Sequence, residues 1–95
     1  MKVIISKPAQ ADLKDIAAYI GRDKKRRGRT YALQLATQAR KLNLFPERYA
    51  VLEAFPHVRR MPYGNYNIFY RVGTHEVVVL RVIHGARLTS PELFR

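Results

Sequence analysis

Tyr66-Asn67-Ile68-Phe69-Tyr70-Arg71-Val72, then Gly73-Thr74-His75, then Glu76-Val77-Val78-Val79-Leu80-Arg81-Val82-Ile83-His84: this stretch decides the fold. Two runs rich in β-branched and aromatic residues flank a glycine-led turn, which reads as an antiparallel hairpin. Pairing Val72 with Glu76 across a three-residue loop sets Tyr70 opposite Val78, Ile68 opposite Leu80 and Tyr66 opposite Val82. All of these then face one side. A slip of one residue would turn Arg81 inward, so the three-residue loop is the expected closure. The other side collects Asn67, Phe69, Arg71, Val77, Val79, Arg81 and Ile83. It is half apolar, carries two arginines and has no remaining element to cover it, which marks it as a surface for a partner.

Working outward, Val58 to Pro62 extends the hairpin to a third strand through a turn at Gly64-Asn65. Lys2 to Ile5 is a further short strand, with Val3, Ile4 and Ile5 β-branched. Pro8 opens a first helix that Ser6 can cap, because a proline lacks only an N–H that the first turn does not use. Ala9, Leu13, Ile16, Ala17 and Ile20 lie along one face of a 3.6-residue period, and Gly21 is near its end. A second helix is expected over about Thr30 to Asn43, with Tyr31, Leu35, Ala39 and Leu42 on its stripe; Pro46 disfavours helical geometry at Phe45. An earlier start capped by Asp23 would place Gly28 inside at a cost of about 1 kcal/mol. The fold class is therefore α+β: an N-terminal strand and a two-helix antiparallel hairpin packed on a mostly antiparallel sheet of about four strands. Its expected core is Leu13, Ile16, Ile20, Leu35, Leu42, Ile68, Tyr70, Leu80 and Val82.

The 95 residues, 47% hydrophobic and 26% charged, suit one globular domain over residues 1–95 and exclude disorder as the default state. No apolar run approaches a membrane span, and the apolar stretch within Met1–Pro8 is too short for a signal peptide, so a cytoplasmic protein is expected. Without cysteine there is no disulfide framework and no thiolate metal site. Eighteen Lys and Arg against seven Asp and Glu leave a net charge of +11. The segment Arg22 to Arg29 carries six cations and only Asp23 in opposition. Such a balance favours polyanionic partners: nucleic acid, ribosome or an acidic protein.

The layout and three local stretches resemble the RelE/ParE toxin superfamily, and most closely its ParE branch. They are Pro8-Ala9-Gln10-Ala11-Asp12-Leu13-Lys14-Asp15-Ile16, the run from Val58-Arg59-Arg60-Met61-Pro62-Tyr63 through Val72, and Val79-Leu80-Arg81-Val82-Ile83-His84-Gly85-Ala86-Arg87. The two C-terminal stretches are fairly specific, whereas the helices are generic. The resemblance implies a toxin of a type II toxin–antitoxin pair that binds and blocks DNA gyrase. It also implies silencing by a cognate antitoxin whose disordered segment folds on the toxin. A basic, half-apolar open face suits an acidic amphipathic segment of that kind. On that face Phe69, Arg71, Val79, Arg81 and Ile83 are the expected antitoxin contacts; Arg59, Arg60 and Arg87 are candidates for target binding.

The alternative is a RelE-like, ribosome-dependent mRNA endonuclease. Such cleavage needs a general base, an acid and cations for the phosphorane charge. His84, Arg59 and Arg81 are then the candidate catalytic set, with Tyr66 as a further proton carrier and Arg60 and Arg71 as further cations. Strand alternation puts His84 beside Val78, Leu80 and Val82, away from Arg71 and Arg81, and only a bulge would bring it across. Tyr66, opposite Val82, is a core residue by the same parity. A third reading is a plain nucleic-acid-binding module, in which the 22–29 loop grips backbone without reading bases. His57 and His75 lie on turns with no ligand at metal-binding spacing, so no metal is expected, nor any cofactor. Asp12 and Asp15 read as a solvated helix face. No phosphate loop or nucleophile triad exists.

Overall fold

The computed structural model describes residues 1–87 and 89–94. Strand β1 (Lys2–Ile5) leads into helix α1 (Lys7–Ile20), followed by helix α2 (Lys25–Arg40) and a 3-10 turn, Lys41–Asn43. Strands β2 (Arg59–Tyr63), β3 (Tyr66–Val72) and β4 (Glu76–His84) follow, and Pro91–Phe94 forms a last 3-10 turn. The sheet order is β1-β4-β3-β2; β1 runs parallel to β4 and the other pairs are antiparallel. This is the α+β layout expected from the sequence.

Ser6 joins strand to helix in two ways. Its N–H donates to Val79 O at 3.0 Å, which carries the ladder one residue past β1. Its hydroxyl then accepts from Ala9 N at 3.2 Å and donates to Leu80 O at 3.1 Å, capping α1 while tying it to β4. Gly64 has φ of +57° in the turn between β2 and β3, a left-handed position that suits glycine.

Helix α2 begins at Lys25 rather than near Thr30, so most of the basic stretch expected as a loop is helical. Gly28 lies buried inside it, because the two helices touch there. A Cβ on Gly28 would stand 2.0 Å from Ala17 O and 2.8 Å from Gly21 N. The penalty of a mid-helix glycine is offset by this close approach. Lys24 sits at the N-cap without a side-chain hydrogen bond, and no acidic residue occupies the first turn. Each cation there opposes the helix dipole by about 0.3–1 kcal/mol.

The hairpin register differs from expectation. Val72 pairs with Val77, not Glu76, and Gly73 N donates to Glu76 O at 2.7 Å across a four-residue loop. Tyr70 therefore faces Val79, and Val77 and Val79 are fully buried under the helices. The register then shifts between Phe69 and Tyr70, so that Ile68 pairs with Val82 and Tyr66 with His84, leaving Leu80 as the extra residue of a bulge. Val82 thus returns to the core while Leu80 leaves it for the other face. The Val77-Val78-Val79 run is equally apolar in both parities, so alternation alone could not choose between them.

Nor is the far face of the sheet open. Val58, Phe69, Ile83 and Leu93 form a second buried cluster there, flanked by Leu52, Phe55, Leu80 and Phe94. The Phe94 ring lies edge-on, 5.2 Å from both Phe55 and Phe69. The chain covers this face with its own connecting segment and its C-terminal turn: Leu52 N donates to Val58 O at 2.8 Å, and Arg60 N to Ala50 O at 3.2 Å. The helix-side core otherwise holds as expected, with Ile16, Leu35, Leu42, Ile68, Tyr70 and Val82 buried and Leu13 and Ile20 packed against them.

Candidate functional site

β1 pairs with β4 only as far as Val79, so the edge of β4 beyond that point lies bare until α1 crosses it. Asp12 closes it. One carboxylate oxygen accepts from the Val82 N–H at 2.9 Å and from Arg81 Nε at 2.7 Å; the other accepts from the second guanidinium arm at 2.8 Å. Arg81 also reaches Leu93 O at 3.4 Å, spanning from α1 to the C-terminal turn. The hydrogen bond to Asp12 holds the guanidinium pKa above its usual value, against the opposing effect of burial. Asp12 is buried, not solvated, and this is the one ion pair among the described residues. The solvated-face reading of Asp12 overlooked its place on the apolar stripe, three residues after Ala9 and four before Ile16, which signals burial but does not name the partner.

The five residues expected on one open face are thus dispersed. Val79 lies in the helix-side core, Phe69 and Ile83 lie in the second cluster, and Arg81 is held on the sheet edge. Arg71 alone is exposed, in a groove shared with Glu47, Val51, His57 and Arg59. The alternation that grouped them ignored both the bulge and the covering segments.

Of the other cations, Arg59 is half-buried and donates to Tyr49 O at 2.6 Å and Glu47 O at 3.2 Å. Beside it the Tyr70 hydroxyl donates to Pro46 O at 2.6 Å. Together these bonds pin the 46–49 segment against the end of the sheet. Burial raises the pKa of both Tyr70 and Tyr66, so neither phenol is prepared to give up its proton near neutrality. Arg60 and Arg87 are exposed.

His84 is exposed at the end of β4; its ring meets Tyr66 edge-on at 5.3 Å and its Nδ1 accepts from Ala86 N at 3.1 Å. The bulge falls at Leu80 and leaves His84 on the side of Tyr66 and Val82, opposite Arg71. Arg59 stands on the rung of Tyr70 and Val79, whereas His84 stands on that of Tyr66 and Tyr63. The two rungs are four residues apart, about 13 Å along the strands, and the residues sit two strands apart, about 10 Å across. His84, Arg59 and Arg81 do not converge. Among the described residues no group of three or more His, Asp or Glu side chains is placed to hold a metal, and no helix is long and apolar enough to cross a membrane.

The sequence profile of a family described as ParE toxin of type II toxin-antitoxin system, parDE, matches residues 3–89. Solved structures that share the fold include two from toxin–antitoxin systems. A chain of the chromosomal ParDE toxin–antitoxin system from P. aeruginosa superimposes with a TM-score of 0.69 at 22% identity, covering 88% of this chain and 95% of that one. A chain of the RelBE2 toxin–antitoxin complex from Mycobacterium tuberculosis gives 0.65, also at 22% identity, covering 87% and 95%. No curated protein matches the chain.

Proposed function

The chain belongs to the ParE toxin family of type II toxin–antitoxin systems, and from that premise we propose that it inhibits DNA gyrase by binding, without cleaving a substrate. The reading has it act in the cytoplasm as a single domain over residues 1–95, silenced by a cognate antitoxin. The observation that carries it is the dispersal of the acid–base set. Arg81 is spent on Asp12, Arg59 on two backbone carbonyls, and His84 is rungs away from both. A binding toxin needs only presented surface, and we assign target contact to Arg60 and Arg87, the exposed members of the candidate set.

The purified protein should therefore inhibit gyrase supercoiling and leave mRNA on translating ribosomes intact, and His84→Ala should retain the inhibition. The likeness to a RelBE2 chain keeps the endonuclease reading as the competing outcome. Codon-linked cleavage that His84→Ala abolishes, with gyrase unaffected, would replace our reading with that one.

For the antitoxin, an acidic partner segment is supported by the net charge of +11 and by the two structural neighbours, both from toxin–antitoxin systems. With Arg81 engaged internally, Arg71 becomes the charge anchor. Arg71→Ala should weaken the complex by about 2 kcal/mol, the low end for a desolvated interfacial charge pair, chiefly through faster dissociation. Titration calorimetry with the cognate antitoxin measures this. An unchanged affinity would move the antitoxin's acidic segment off the Arg71 groove.

A further inference from the structure

Apart from the contacts of Arg22 with Tyr19, the tip of the helical hairpin carries a charge that neither the fold nor the proposed toxin–antitoxin contacts use. Arg22, Lys24, Lys25, Arg26, Arg27 and Arg29 are all exposed, as is Lys14 on α1. None of them forms an ion pair among the described residues. Four of the first five residues of α2 are cations, with no acidic residue in the first turn and no capping side chain. That arrangement works against the helix that holds it, and local rules broken without a structural gain are a mark of function.

We propose that this tip docks on the backbone of a B-form DNA duplex, contacting phosphates on both sides of one groove. Three features select that occupant. First, the cations sit on opposite flanks. Arg22, Lys25 and Arg29 border one depression with Gly21, and Lys24, Arg26 and Arg27 border another with Tyr31. Lys25 and Arg27 are about 200° apart around a helix of about 10–12 Å diameter. That width fits the B-DNA major groove, about 12 Å across, with phosphates on either rim. Second, duplex RNA presents a major groove too deep and narrow for a helix. Third, single strands are held by stacking bases on free aromatic faces. Tyr19 is exposed at the tip, but Arg22 stacks on its ring, 4.5 Å from the centre, and Tyr31 packs on Tyr63 and Tyr66, so no row of free rings is offered for successive bases. The close contact of Gly28 with Ala17 and Gly21 sets the helix backbones against each other at the tip, so the cationic side chains spring from a packed base.

The test is fluorescence anisotropy of a labelled random-sequence DNA duplex of about 20 base pairs, titrated with the full chain over about 50–200 mM salt. With six tip cations engaged, log affinity should fall against log salt with a slope of about −5. The double variant Lys25→Glu/Arg26→Glu should lose at least about tenfold in affinity and flatten the slope by about 2, the share of two phosphate contacts. Its melting temperature should not drop, because acidic residues suit the start of a helix. Lys41→Glu/Arg48→Glu makes the same change in net charge at exposed positions away from the tip and should leave the slope unchanged. Equal losses from the two double variants would reduce the binding to diffuse net charge and overturn the proposal. A duplex RNA of the same length binding as tightly as the DNA would overturn it too. Both readouts use DNA and toxin alone, so they stand or fall independently of gyrase inhibition.

Discussion

Asp12→Ala should destabilise the protein by about 3 kcal/mol, the low end for breaking a buried ion pair, since Arg81 keeps part of its side chain in water. Three hydrogen bonds end on the Asp12 carboxylate: two from the Arg81 guanidinium and one from the Val82 N–H. Removing it strands a cation and a buried backbone donor together, and neither can find water without opening the edge of β4. The variant should melt about 15 °C lower, given about 4–8 °C per kcal/mol for a domain of this size. Asp12→Asn keeps an acceptor for Val82 while losing the charge, and should recover about half of the loss. Urea unfolding midpoints for the two variants provide the comparison. A loss below about 1 kcal/mol for Asp12→Ala would mean that Arg81 re-solvates freely and that the edge is held by packing alone.

Gly28→Ala should lower stability by about 3 kcal/mol, although helix propensity by itself predicts a gain of about 1 kcal/mol. The two effects have opposite signs, so the sign of the change is the result. The added methyl would meet Ala17 O at 2.0 Å and Gly21 Cα at 2.9 Å, and all of its near neighbours are backbone atoms that no rotamer change can move aside. The helices must separate, and the core under Leu35 and Ile16 must loosen with them. Gln34→Ala, at an exposed position of the same helix, should change stability by less than about 0.5 kcal/mol. A thermal melt of Gly28→Ala above that of the parent protein would show that the helices do not touch as closely as described.

Both sites bear on what could be read from residues alone. Helix α1 and the β2–β3 turn were legible because their signals are local. Ser6 before Pro8, the 3.6-residue stripe and the Gly64-Asn65 pair act within a few residues of the chain. The start of α2 was not legible, since the clash that demands glycine at position 28 comes from Ala17 and Gly21 in another helix. In the candidate site, Arg71 was placed correctly as an exposed strand cation, whereas Arg81 was not, because its partner lies 69 residues earlier in the chain.

Residue types and spacing were enough for the α+β class, the succession of strands and helices along the chain, the basic surplus and its concentration at Arg22–Arg29, and the likeness to the ParE family. Each of these depends on residue type, spacing or charge, which need no knowledge of distant neighbours. Tertiary structure alone decided the bulge at Leu80, the Asp12–Arg81 pair and the burial of Phe69 and Ile83 beneath Leu93 and Phe94. A run of three valines satisfies either parity of a strand, so its register passes to whatever covers the two faces. Those covers, α1 on the edge and the C-terminal turn on the far side, come from opposite ends of the chain and meet β4 only in the folded protein.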